Sequence, residues 1–150
     1  MNIDNKVSAI MTDEAVTNCL NAVQTLHTNM PFLINLTKAM KRQFPTIGTE
    51  RAGMLPVYLT AMNNHPTLVP GFVDMTEVTK DAELWEKMRI PLTQLSELCE
   101  AIIDTHHAVG SDLFMAFLSF YNNAKEAARR NVTGADTLVA TLRPWFDRTA

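Results

Sequence analysis

The sequence predicts an all-α fold, an antiparallel helical bundle, and three observations lead there. From Thr76 to Arg130 large apolar side chains recur every three or four residues: Val78, Ala82, Trp85, Met88, Leu92, Leu95, Cys99 and Ile102, then Phe114, Phe117, Tyr121, Ala124 and Ala128. That spacing turns one face of a helix toward a core and leaves the other in water. The chain has 150 residues, 47% of them hydrophobic and 19% charged, which suits one globular domain able to bury a core without disulfides or a structural metal. Prolines and singly placed glycines separate the remaining periodic stretches. The expectation is a single domain over 1–150, ordered over about 12–146, with four or five main helices, one of them kinked at Pro91.

The first helix opens at Thr12, with Asp13 and Glu14 in the first turn, where carboxylates meet the positive end of the helix dipole. Val16, Cys19, Leu20, Val23, Leu26 and Met30 share a face, predicting a helix over Asp13 to Thr28 that Pro31 ends. A short element between Asn35 and Phe44 sets Leu36, Met40 and Phe44 inward and Lys38, Lys41 and Arg42 outward, and Pro45 and Gly48 close it. Thr49 and Glu50 begin a third helix carrying Leu55, Tyr58, Leu59 and Met62, its regular part confined by Pro56 to Val57 through Asn64.

His65 to Gly71 contains Pro66 and Pro70 and no helical period, which predicts a rigid extended connection. Asp74 or Thr76 caps the next helix. Pro91 lies within its pattern, but the apolar phase continues across it from Met88 to Leu92, so a kink is expected there. At Gly110-Ser111 a turn between antiparallel helices competes with a continuous helix that tolerates one glycine at about 1 kcal/mol. The turn is the favoured expectation, since antiparallel neighbours need only a short loop. A last helix, Ala135 to Phe146, follows Thr133 and Gly134 and carries Leu138, Leu142, Trp145 and Phe146.

A formal net charge of -3 argues against broad electrostatic capture of nucleic acid or of an anionic membrane. No run approaches the roughly 20 apolar residues of a membrane helix, and Met1 to Met11 lacks the pattern of a secretory signal, so the cytoplasm is the expected compartment. Cys19 and Cys99 each fall on an apolar helix face and are expected to be buried free thiols.

Several short motifs together resemble a family of small all-helical bacterial proteins to which no activity is attached. They are Pro31-Phe32-Leu33-Ile34-Asn35-Leu36-Thr37, the Pro45-x-x-Gly48 turn, Pro66-x-x-Val69-Pro70 with Asp74, Asp104-Thr105 leading to Ala108 and Gly110-Ser111, Phe120-Tyr121 with Lys125, and Gly134-Ala135. The resemblance implies an all-helical fold and supplies no reaction. Where that family reads Gly-Ser-Glu-Ala-Tyr, this chain has Gly110-Ser111-Asp112-Leu113-Phe114, which loses a tyrosine hydroxyl, and His106-His107 stand outside the family pattern.

Glu100, Asp104 and His107 are spaced four and three apart, with His106 beside them, so they are the candidate metal ligands. Di-iron bundles use a Glu-x-x-His motif on each of two helices plus two further glutamates, whereas this chain offers one Asp-x-x-His. A solvated polar face near a helix C-terminus is the alternative. Lys41 and Arg42 before the Pro45-Thr46-Ile47-Gly48 turn, with Ala52 and Leu55 after it, resemble a helix-hairpin-helix phosphate site. Thr46 stands where close approach wants glycine, and Glu50 would repel a phosphate. Lys125, Arg129 and Arg130 suit the negative end of a helix. No Gly-x-Ser-x-Gly elbow frames Ser111, and no glycine-rich phosphate loop is present.

Nothing in these patterns demands a reaction. The expectation is a non-enzymatic interaction protein that self-associates as a homodimer or contacts another protein through Phe117, Phe120 and Tyr121, with no cofactor. Neither membrane nor nucleic acid is an expected partner. The alternatives are a metal- or small-molecule-binding bundle using Glu100, Asp104, His106 and His107, and weak nucleic-acid binding through the Pro45-Gly48 turn.

Overall fold

A computed structural model describes residues 5–146, and among them the chain is all-α, with no strand. In chain order come α1 (Asp13–Asn29), α2 (Lys38–Gln43), a 3-10 turn at Thr49–Arg51, α3 (Met54–Asn64), a 3-10 turn at Pro66–Leu68, α4 (Met75–Arg129) and α5 (Ala135–Phe146). The chain divides into two compact units. One runs from Met11 to Leu95 and contains α1 to α3 and the first part of α4; the other joins the residues up to Ile10 with those from Ser96 onward.

The helix starts follow from short polar side chains that satisfy otherwise unpaired amides. Thr12 accepts from the Ala15 amide at 3.1 Å, Thr37 from Met40 at 3.2 Å, and Asp74 from Thr76 at 2.8 Å. α3 begins two residues before Pro56, because proline is tolerated in a first turn, where its missing N–H would have no intrahelical partner. The extended connection expected after His65 instead holds a 3-10 turn: Leu68 N–H donates to the His65 carbonyl at 3.0 Å and Val69 N–H to Pro66 at 3.3 Å. Prolines remove donors from this segment without preventing i to i+3 closure.

The expected turn at Gly110-Ser111 does not form. α4 is one helix of 55 residues that continues through both Pro91 and Gly110. A single interior glycine costs about 1 kcal/mol relative to alanine, too little to stop a helix already propagating on both sides. The turn lies further on, where Asn131 takes a left-handed φ of 59°. There the Val132 amide donates to Ala127 O and the Asn131 amide to Ala128 O, both at 3.0 Å, the two closing bonds of a Schellman motif. Gly134, at φ 83°, completes the reversal into α5.

Burial also departs from the sequence expectation. Among the described residues the buried apolar side chains are Ala82, Tyr121, Ala124 and Ala135. Val16, Leu20 and Val23 on α1 are exposed, as are Met40, Phe44 and Tyr58, all expected inward. Cys19 and Cys99 are free and exposed thiols, not buried ones. Periodicity identifies the face that seeks cover; it cannot say whether this chain supplies the cover.

Candidate functional site

In the unit containing Ser96 onward, the reversal at Asn131–Gly134 sends α5 back along the end of α4. Phe146 stacks on Tyr121 with ring centroids 4.7 Å apart and planes within 8°, and meets Phe114 at 6.0 Å with a tilt of 48°. Offset aromatic pairs of this kind add about 0.5–1.5 kcal/mol beyond their burial. Lys125 Nζ sits 4.6 Å from the Tyr121 ring centroid, where the negative ring face attracts an ammonium. Tyr121 is thereby only 4% exposed. It belongs to the hairpin's small core and is not available as the contact residue it was expected to be.

Phe117 and Phe120 do remain exposed, at 58% and 55%. With Leu142, Trp145 and Phe146 they line an open apolar cavity of about 480 Å³ between α4 and α5. Leu142 and Trp145 were read from the sequence only as core residues of the last helix. Their part in this groove depends on the direction of the α4–α5 reversal, for which the sequence carries no register signal.

On another side of α4, Asp112 is held by the segment before α1. Lys6 Nζ donates to Asp112 Oδ1 at 2.7 Å and the Lys6 amide to Oδ2 at 2.8 Å. The Lys6 side-chain hydrogen bond, and then the backbone one, hold the Asp112 carboxyl below its ordinary range.

The candidate metal ligands are not brought together. Glu100, Asp104, His106 and His107 are all exposed in mid-helix, well away from the α4 C-terminus at Arg129. Among the described residues no group of three or more His, Cys, Asp or Glu is placed to hold a metal ion. A single helix presents ligands from one side only, and a bundle site needs donors from facing helices as well. Arg129 and Arg130 of the basic cluster both engage Glu126, at 3.4 and 3.1 Å. In the Pro45–Gly48 turn, Glu50 Oε1 lies 3.3 Å from where a Cβ on Gly48 would stand. A carboxylate thus occupies the approach that a phosphate would need.

In the unit ending at Leu95, Ile47, Met54, Leu55, Tyr58, Met62 and Val78 line a smaller apolar cavity of about 210 Å³ between α3 and the start of α4. No helix among the described residues is long and apolar enough to cross a membrane. Compared with protein-family models, with curated proteins and with solved structures, the chain matches none.

Proposed function

We propose that this protein is a non-enzymatic helical module that works by protein contact, and first of all by contact with a second copy of itself. The observation that carries the reading is the mismatch between composition and burial. A chain that is 47% hydrophobic buries four apolar side chains among its described residues, three of them alanines. Most helical stability in proteins comes from packing an amphipathic face against something, not from helix propensity. The exposed faces of α1 and α4 therefore need cover from outside the chain. The two cysteines, exposed and unpaired, suit a reducing compartment such as the cytoplasm.

Size-exclusion chromatography with light scattering on untagged protein tests this, with metals read on the same peak. A metal-free dimer or larger species whose helicity falls on dilution is the expected result. A monomer whose unfolding is cooperative and independent of concentration overturns it.

A further inference from the structure

The self-association just proposed needs a surface, and α4 carries one whose spacing is specific. Within the unit that contains Ser96 onward, Cys99, Ile102, His106, Val109, Leu113, Ala116 and Phe120 follow one another at intervals alternating three and four. This is the a/d pattern of three heptads, and every one of the seven is exposed. A repeat of 3.5 on a helix of about 3.6 residues per turn drifts only ~20° per heptad, so the seven form one seam that slight supercoiling keeps facing a partner. Leu98, Ile103 and Phe117 widen it, and Glu97, Glu100, Asp104 and His107 fall on the far side. α5 reaches the seam only at its Phe120 end, where that ring shares a groove with Leu142, Trp145 and Phe146, and the segment before α1 borders it with Asn5 and Val7 beside Val109, Leu113 and Ala116; all of these seam residues stay exposed.

We propose that the stretch of α4 from Cys99 to Phe120 pairs with the same stretch of a second copy of this chain. Three arguments favour a second copy as occupant. A 3.5-residue seam packs against a helix with the same period, and this helix has it. The flanking positions that would oppose each other across such a pair are Leu98, Ile103, Thr105, Gly110, Asp112 and Phe117. Asp112 alone among them is charged and Lys6 already neutralises it, so two copies meet without like-charge repulsion. The area also suffices. Aliphatic side chains of roughly 60–120 Å² and aromatics of 150–250 Å², about half exposed, give on the order of 1,200–1,600 Å² for the pair, within the range of stable interfaces. His106 is the polar interruption in the seam. A lone polar residue at such a position fixes register and partner number while weakening the association.

The experiment rests on the self-association reading and separates the two. Sedimentation equilibrium is run on the full chain, on Ile102→Glu/Val109→Glu, on His106→Leu, and on Glu97→Gln as an outward control. The double variant is expected to weaken association at least 100-fold, His106→Leu to tighten it about tenfold or more, and the control to match the parent. If the parent associates and the variants associate equally, the seam is wrong and self-association stands. If the parent is monomeric throughout, both fall. Should the double variant fail to fold, His106→Leu decides alone, since an unchanged constant overturns the seam.

Discussion

Two stretches of α4 in the same unit, 96–107 and 118–128, have similar apolar content and opposite fates. In 118–128 Tyr121 and Ala124 are buried, and α5 supplies Phe146 to stack on the tyrosine. In 96–107 every residue is exposed, Ile102 at 59% and Ile103 at 65% included. Local hydrophobicity does not explain the difference, because isoleucine favours burial as strongly as tyrosine does. The cause is connectivity: the Schellman reversal at Asn131 delivers a covering helix to one stretch, and among the described residues no helix of the unit is delivered to the other. Coverage within a chain is thus set by where the turns fall, and an apolar face far from a turn is left exposed.

The contrast breaks most severely at its buried end. Tyr121→Ala removes the ring on which Phe146 stacks and leaves a void under α5, and large aromatic truncations in cores cost about 3–5 kcal/mol. Urea unfolding at fixed protein concentration is expected to show a loss of that order. Ile102→Ala, assayed in the same way at concentrations where the chain is dissociated, is expected to shift stability by no more than about 1 kcal/mol, since its side chain is already in water. Equal losses for the two variants would show that 96–107 is covered within the chain, contrary to the structure.

Next in size is the reversal itself. Gly134 adopts a φ of 83°, where an L side chain is strained by roughly 1–2 kcal/mol. Gly134→Ala is therefore expected to destabilise by about that amount and to loosen α5, read as increased amide exchange over Ala135–Phe146. Asn131, also left-handed, is one of the few non-glycine residues that tolerate the conformation, which is why the chain can turn without glycine there.

Helix ends were legible because their causes are local. Thr12, Asp74 and Gly134 act on amides or dihedrals within a few residues, and the boundaries of α1 and α5 follow from them. Gly110 misled for the converse reason: a glycine-serine pair is a turn signal only when the flanking chain does not propagate helix through it. The contact surface was legible in part. Phe117 and Phe120 are exposed as expected, but Tyr121, one residue on, is rotated by about 100° into the hairpin core. Cys99 and Ile102 were read from their period as core and are exposed, since a helix face has the same spacing whether or not the chain covers it.

Gly110 offers a smaller and opposite effect. A Cβ built there meets nothing within 4 Å, and its φ is not left-handed. Gly110→Ala is therefore expected to stabilise the chain by up to about 1 kcal/mol, through helix propensity and a less disordered unfolded state. Thermal melts followed at 222 nm check it. A drop in midpoint would mean that a turn, not a continuous helix, occupies this position.

The smallest expected effect concerns the tie between Lys6 and Asp112, which fastens the segment before α1 to α4. Because Lys6 holds the Asp112 carboxyl below its ordinary value, the folded form binds that proton less readily than the unfolded chain does. The tie is therefore fully present above the ordinary carboxylate pKa of about 3.9, and is lost as pH falls through the lower folded value. Between neutral pH and about pH 5 the Lys6 amide resonance should stay fixed, and below about pH 4 it should move toward its free position. Asp112→Asn should abolish that titration while leaving the α5 amides unchanged, since the ring stack on Tyr121 contains no carboxylate. Movement of the α5 amides along with Lys6 would mean that the acidic tie and the aromatic hairpin are one cooperative structure, and that α4 is covered from two directions by a single element of stability.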